Sequence, residues 1–284
     1  MQWTLGHFGL SFPLILTSAH MGFSFLVLSP LSFGWNIHQH KQMLEQQWRG
    51  IFCIGAFMAL NIALNNISLL YISLSLNQII RSSIPVVTSL ITVALEGRIP
   101  GRSEAFALII LTIGVMLAVW EGSLSGNPFA IMICMMGTIS NALMMTTSGK
   151  LMSEKLDIIR LTFYTAPISL VCLSPFVMLM EAQQFKLYAT NDFSEKFWIL
   201  FIGCLNALSY NLVHALVIQK TSAVTSTVLG QIKIIGLLLA AAVILEERKE
   251  FSPRMLTGCF LTLIGFFLYS RVEIARLKAI PAKL

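Results

Sequence analysis

The chain has 284 residues, of which 56% are apolar and 11% are charged, whereas an average soluble domain has about 25% charged residues. Residues 1–40 contain no Lys, Arg, Asp or Glu. A chain this poor in charge cannot cover a water-facing surface, which excludes a soluble enzyme, a disordered chain and a nucleic-acid-binding protein. The composition predicts an all-α, polytopic membrane protein.

Several apolar runs are long enough to cross a bilayer, which takes about 20 mostly apolar residues in a helix. Gly, Pro and charged residues separate these runs, and the connections are too short to hold a soluble domain. We therefore predict nine transmembrane helices, at residues 11–30, 50–70, 73–95, 104–121, 128–149, 159–180, 197–217, 222–245 and 254–271.

The basic residues of the loops predict how the chain is oriented. Of the 19 Lys and Arg residues, twelve lie in one set of alternate loops and five in the other, while Arg81 and Lys233 lie inside predicted spans. Because Lys and Arg are enriched in cytosolic loops, the tail at residues 272–284 is expected in the cytosol. Nine spans then place the N-terminus on the opposite side, and residues 1–10 are too short and too neutral for a signal or transit peptide.

Two parts of the chain resemble each other, which predicts an internal duplication. The segment 77–81 (Asn-Gln-Ile-Ile-Arg) is matched by residues 230–233 (Gly-Gln-Ile-Lys), and 111–114 (Leu-Thr-Ile-Gly) is matched by 261–265 (Leu-Thr-Leu-Ile-Gly). Chance similarity between apolar helices is the alternative, but it explains the matched depth of the two basic residues less well. The predicted repeats cover 1–121, as an incomplete first copy, and 128–271, within a single transmembrane domain at 1–284.

Arg81 and Lys233 lie near the middle of their predicted spans, where a charged side chain costs about 2.5–3.5 kcal/mol on insertion scales. Neither span contains an acidic residue that could neutralise them. Two cations facing one cavity repel each other unless an anion binds between them. Arg suits bidentate contact with phosphate and Lys acts as a point charge, so the pair predicts a site for an anionic substrate. The alternatives are a structural role against backbone carbonyls and snorkelling.

Other polar residues are predicted to line the same cavity. The spacing of residues 206, 210 and 214 places three polar groups on one helix face, and tyrosine suits stacking on a sugar or a base. The alternative role for each is hydrogen bonding between helices. Besides Arg81 and Lys233, the candidate substrate-binding residues are Asn65, Asn77, Gln78, Tyr164, Tyr210, Asn211 and Gln231.

The sequence contains no arrangement typical of catalysis. It has no nucleophile elbow, no HExxH motif, no phosphate-binding glycine loop and no metal-ligand spacing. We therefore expect no enzyme activity, no metal and no cofactor. A proton-coupled carrier would need an acidic residue inside the membrane, so exchange of one anion for another is the expected mechanism.

The sequence resembles the triose-phosphate and nucleotide-sugar translocators of the drug/metabolite transporter superfamily. The resemblance implies a ten-helix carrier of two inverted five-helix repeats, which exchanges phosphorylated sugars or nucleotide sugars for phosphate or a nucleoside monophosphate. Since residues 1–10 are similar to the loop after the family's first helix, the nine spans correspond to helices two to ten. The segments that carry the resemblance are 77–85 (Asn-Gln-Ile-Ile-Arg-Ser-Ser-Ile-Pro), 163–167 (Phe-Tyr-Thr-Ala-Pro), 210–211 (Tyr-Asn), 225–233 and 264–271.

The resemblance also implies roles for individual residues. The basic residue of the fourth helix falls on Arg81, the lysine of the ninth on Lys233, a phosphate-contacting tyrosine on Tyr210, and a polar contact of the third helix on Asn65. Plastid sugar-phosphate exchangers carry Lys-Arg in the ninth helix, whereas Ile234 follows the lysine here. The GDP-mannose carriers show Phe-Tyr-Asn-Asn and Gly-Ala-Leu-Asn-Lys, whereas this chain has Phe-Tyr-Thr-Ala at 163–166 and Gly-Gln-Ile-Lys at 230–233. The difference at Ile234 weakens the triose-phosphate interpretation, and the differences at 163–166 and 230–233 do not favour GDP-mannose.

We therefore expect an alternating-access antiporter of the Golgi or endoplasmic reticulum membrane. Its expected partners are an anionic substrate, an anionic counter-substrate and membrane lipid. Two alternatives stay open: a plastid-type sugar-phosphate or phosphoenolpyruvate exchanger, and a non-transporting membrane scaffold with the same fold. A homodimer is a further alternative that stays open. The sequence identifies neither the sugar or base carried nor the oligomeric state.

Overall fold

The computed structural model describes residues 12–32, 34, 37–120, 127–153, 156–244 and 253–279. Within these ranges the chain is helical apart from short connections, which confirms the predicted all-α class. The helices are α1 (Pro13–Ser32), α2 (Ile37–Ser68), α3 (Leu74–Arg81), α4 (Ile84–Glu96), α5 (Arg102–Val119), α6 (Pro128–Ser153), α7 (Ile158–Met180), α8 (Ala182–Lys220), α9 (Ala223–Ile244) and α10 (Pro253–Ala279).

The apolar segments of these helices coincide with eight of the nine predicted spans, and the span at 222–245 coincides with a shorter apolar helix. In the described part of the chain, eight segments are long and apolar enough to cross a membrane, and Ala223–Gly236 is a shorter apolar helix. Two helices extend beyond the predicted runs, since α2 begins at Ile37 and α8 begins at Ala182. Hydropathy marks where the apolar stretch ends, whereas Gln, Lys and Glu continue a helix well into the polar region.

The helices pack into two compact units. Unit 1 comprises Met1–Asn66 and Thr147–Gln219, and unit 2 comprises Ile67–Thr146 and Lys220–Leu284. Each unit therefore contains segments of both predicted repeats. The repeat boundaries stay a prediction.

In unit 1, α1 packs against α7, and small residues bring α2 close to α7. A Cβ atom at Gly55 would overlap the side chain of Ile168, and the Ser169 hydroxyl donates a hydrogen bond to the Gly55 carbonyl at 3.1 Å. Such close approach is how transmembrane helices gain packing energy in lipid. The buried cluster that joins these helices contains Leu14, Ala59, Ala63 and Leu173.

A carboxylate caps the N-terminus of α1. Glu181 directly follows α7, and its two carboxylate oxygens accept hydrogen bonds from the backbone amides of Leu14 at 3.0 Å and Ile15 at 2.8 Å. The first amides of a helix have no partner within it. Glu181 therefore satisfies two of these donors and ties the start of α1 to the end of α7.

The Glu181 cap makes the stability of the protein depend on pH. Burial raises the pKa of Glu181 above its ordinary value of 4.5, against the opposing effect of the two amide hydrogen bonds. The folded protein thus holds this proton more tightly than the unfolded chain, so the free energy of unfolding should decrease as pH rises from 4.5 through the raised pKa. Glu181→Gln should remove this part of the pH dependence. Thermal unfolding of both proteins in detergent across this range tests it, and superimposable pH profiles would contradict it.

In unit 2, α5 and α10 run antiparallel with their backbones in close contact, here called the glycine seam. Gly114 faces Thr262, Gly265 faces Leu111, and Gly258 faces Ala118 (these six residues form the seam). A Cβ atom at any of the three glycines would overlap backbone atoms of the facing helix. Only glycine permits this separation.

The glycine seam is symmetric with respect to the two predicted copies. The shift in numbering that aligns Gly114 with Gly265 also aligns Leu111 with Thr262, so the contact of Gly114 with Thr262 exchanges with that of Gly265 with Leu111. An antiparallel contact that maps onto itself is expected of an inverted repeat. The duplication itself stays a prediction.

A cluster of charged residues lies beside the N-terminus of α5 and the C-terminal part of α10. Arg98 lies 2.8 Å from the Glu104 carboxylate and 3.8 Å from that of Glu273, and Arg276 lies 3.2 Å from Glu273. Both glutamates are buried, at 5% and 4% exposure. Buried carboxylates need such partners, so this cluster holds the loop between α4 and α5 against α10.

Candidate functional site

The membrane span that contains Arg81 is not a continuous helix. α3 ends at Arg81, a turn follows at Ser82 and Ser83, and α4 begins at Ile84. Pro85 has no backbone N–H and lies four residues after Arg81, so the Arg81 carbonyl lacks its helical donor. Each serine hydroxyl donates to the carbonyl three residues before it, at 2.7 Å. We call residues 81–85 the helix break.

Two side chains from other helices donate to carbonyls of the helix break. Gln231 on α9 donates from Nε2 to the Arg81 carbonyl at 3.4 Å, and Thr112 on α5 donates from Oγ1 to the Ser82 carbonyl at 3.4 Å. Both side chains are buried, at 3% and 7% exposure. These hydrogen bonds are long, but in a membrane interior an unsatisfied carbonyl costs several kcal/mol. Irregular backbone at membrane depth is tolerated where protein surrounds it in this way.

The helix break places a cation at the end of a short helix. Arg81 is the last residue of α3, where the partial negative charge of the helix C-terminus favours a basic side chain. Arg81 is a residue of intermediate exposure. The helix break thus fixes its backbone where a basic side chain is favoured.

Lys233 lies on the helix that supplies Gln231. Since the two residues are two positions apart on α9, they occupy different faces of that helix. The structure accordingly buries Gln231 against the Arg81 backbone and leaves the side chain of Lys233 exposed. It thus brings Arg81 and Gln231 together and puts Lys233 on another face of α9.

Asn77 lies within the packing of unit 2. Its side chain is fully buried, and Nδ2 donates to Ser68 Oγ at 2.9 Å and to Cys134 Sγ at 3.4 Å. These contacts connect α3 to the end of α2 and to α6. Gln78, the next residue, is partly exposed. A substrate contact for either residue stays a prediction.

The remaining candidates belong to unit 1. Tyr210 is 49% exposed, and its ring stacks on that of His214 with 5.6 Å between centroids, as the four-residue spacing on one helix face predicts. The ring of Tyr164 contacts Phe163 edge to face at 5.4 Å. The half-buried residues of this group are Asn65, Tyr164 and Asn211.

Sequence reasoning found the cation at the helix break but missed the groups that hold its backbone. In the sequence, Thr112 stands out only as part of the repeated segment 111–114. Pro85 stands out only as part of a family motif, although a proline four residues after Arg81 is a signal for a missing backbone donor.

Comparisons with known proteins agree with this architecture. The model of the Triose-phosphate Transporter family matches residues 5–270. A probable sugar phosphate/phosphate translocator of Arabidopsis thaliana is 29% identical over 96% of this chain and 89% of its own. UDP-uronic acid transporter 1 of the same plant is 27% identical over 96% of this chain and 89% of its own.

One solved crystal structure shares the fold, with a TM-score of 0.66 at 13% identity, over 94% of this chain and 90% of that one. This likeness concerns the fold alone, and the family match over residues 5–270 shows the family. The chain belongs to the Triose-phosphate Transporter family.

Proposed function

We propose that the protein is an antiporter that exchanges a phosphorylated sugar or a nucleotide sugar for phosphate or a nucleoside monophosphate by alternating access. The observation that carries the proposal is Arg81, a cation at a break in a membrane span whose carbonyl is hydrogen-bonded by Gln231. Broken helices of this kind form substrate sites in many transporters.

The chemistry of the two intramembrane cations favours a phosphate-bearing substrate. The planar guanidinium of Arg81 matches two phosphate oxygens at once, and the ammonium of Lys233 adds charge without fixed geometry. Both residues belong to unit 2. The names of the two relatives, sugar phosphate/phosphate translocator and UDP-uronic acid transporter, support the same class.

Obligatory exchange follows from the same charges. When no anion is bound, the two cations repel each other, and the state in which they approach is disfavoured. A bound anion removes that repulsion and favours the occluded state. An empty carrier therefore reorients slowly, whereas a loaded one reorients quickly in either direction.

We place the carrier in the Golgi or endoplasmic reticulum membrane with its C-terminus in the cytosol. The loop charges support this orientation, since twelve basic residues lie in the set of loops that includes the C-terminal tail and five in the other set. The last turn of α10 also carries the exposed Lys278, which suits contact with the anionic cytosolic leaflet.

Thermal unfolding in the presence of ligands tests the proposal. The panel contains nucleoside monophosphates, nucleotide sugars, triose phosphates and inorganic phosphate. A ligand that binds only the folded state, at about 100 times its Kd, adds about 2.7 kcal/mol of stability. We expect one phosphate class to raise the melting temperature of the unsubstituted protein and of Lys41→Ala, in which an exposed lysine is removed, but not of Lys233→Ala. A folded protein that responds to no phosphate compound would contradict the proposal and favour the scaffold alternative.

A further inference from the structure

We infer that Gln231 is a positioning residue whose side-chain amide replaces the backbone donor that Pro85 lacks, and so holds Arg81 at the helix break. This inference rests on the proposed anion site at Arg81. It gives Gln231 a role through the backbone, instead of the substrate contact expected from the sequence.

The first support is the match between the missing donor and the supplied one. In a continuous helix the amide of residue 85 would donate to the carbonyl of Arg81, and proline cannot do so. Gln231 Nε2 donates to that same carbonyl at 3.4 Å. Gln231 thus donates to the same carbonyl that Pro85 leaves without its helical donor.

The second support is burial. Gln231 is 3% exposed, while Lys233, two residues further along α9, is exposed. The neutral amide is thus buried in the protein, whereas the cation is accessible. A carboxamide is also the right group here, because a carboxylate has no hydrogen to donate and would face the carbonyl oxygen with like charge.

The third support is a parallel contact at the next residue. Thr112 Oγ1 donates to the Ser82 carbonyl at 3.4 Å from α5. Two neighbouring helices thus hold two consecutive carbonyls at the end of α3. Because the Arg81 side chain starts from this backbone, a change in the break displaces its guanidinium, and small displacements of a binding group are costly.

A double-mutant cycle between Gln231 and Pro85 tests the inference. Gln231→Met keeps the size of the side chain and removes the donor, while Pro85→Ala restores a backbone N–H at residue 85. In the Pro85 background, Gln231→Met should lower the melting temperature without ligand and weaken binding of the responsive phosphate compound about tenfold. In the Pro85→Ala background, both effects should largely disappear, since the restored amide at position 85 then serves the Arg81 carbonyl.

Thr112→Val is the matched control. It also removes one donor to a carbonyl of the helix break, but this carbonyl is that of Ser82. Pro85→Ala supplies no donor to the Ser82 carbonyl. The effect of Thr112→Val on the melting temperature should therefore be the same in both backgrounds. The cycle stays informative even if Gln231→Met does not fold in the Pro85 background. Recovery of folding by Pro85→Ala is then the expected result.

Equal effects of Gln231→Met in the two backgrounds would overturn the inference. If only ligand binding changes, and equally in both, Gln231 contacts the substrate directly. The ligand-free melting temperatures do not depend on transport, so coupling between Gln231 and Pro85 can be measured even if no phosphate compound binds. Failure of the proposed function is thereby distinguished from failure of the positioning role.

Discussion

Lys233→Ala is expected to abolish exchange of phosphate compounds while the protein stays folded. The side chain of Lys233 is exposed, so its removal leaves no cavity in the core. Losing a charged partner of a bound anion typically costs at least about 2 kcal/mol, or about thirtyfold in affinity. Uptake of labelled substrate into proteoliposomes measures the effect, with the melting temperature as the test of folding.

Two further variants test whether the effect of Lys233→Ala on exchange comes from the loss of a substrate-binding cation. Lys41→Ala removes an exposed lysine that lies 3.9 Å from Glu45, and it should exchange at the rate of the unsubstituted protein. Arg81→Lys keeps the charge but loses the bidentate fork, so its activity should lie between those of the unsubstituted protein and Arg81→Ala. If Lys233→Ala exchanges as fast as Lys41→Ala, the cation pair is not the anion site.

Gly114→Leu is expected to unfold unit 2. A side chain at this position would collide with the backbone of Thr262, and its neighbour Gly258 contributes a carbonyl oxygen 2.9 Å from the added Cβ. Backbone atoms cannot move aside as flexible side chains can, so the cost should exceed the roughly 1–3 kcal/mol typical of overpacked cores. We expect a protein that does not yield a folded species in detergent, as judged by size-exclusion profile and thermal unfolding.

Gly236→Ala is the control for the glycine seam. It also lies in a helix of unit 2, but a Cβ there meets nothing within 4 Å. Because alanine favours a helix over glycine by about 1 kcal/mol, the melting temperature should stay the same or rise. A native melting temperature for Gly114→Leu would show that α5 and α10 do not pack through the seam.

The spans could be predicted from hydropathy because the bilayer sets a minimum apolar length. The helix ends could not, since α2 starts at Ile37 and α8 at Ala182, in segments where composition turns polar but the backbone stays helical. Which helices pack against each other could be predicted only where the two similar segments indicated it. Gly114 and Gly265 occupy matching places in the two similar segments, and both lie in the glycine seam.

The candidate site could be predicted in part. A cation within an apolar span is visible in the sequence, and so is a proline four residues after it. The donors that hold the break are not, because Gln231 lies 150 residues and Thr112 30 residues from the carbonyl it serves. Tertiary hydrogen bonds of this kind leave no local pattern.

Counting loop charges along the chain does not reveal the charged cluster of Arg98, Glu104, Glu273 and Arg276. In unit 2 they form ion pairs around two buried carboxylates. Which charges pair depends on how α5 and α10 come together, and the sequence does not encode that locally.

Counterflow in proteoliposomes tests the central claim most directly. Vesicles containing the purified protein are loaded with the phosphate compound that stabilises it, or with buffer alone, and uptake of the same labelled compound from outside is followed. Obligatory exchange predicts rapid uptake into loaded vesicles and almost none into empty ones, with both signals absent for Lys233→Ala. Equal uptake into loaded and empty vesicles, or no uptake into either by a folded protein, would contradict the account.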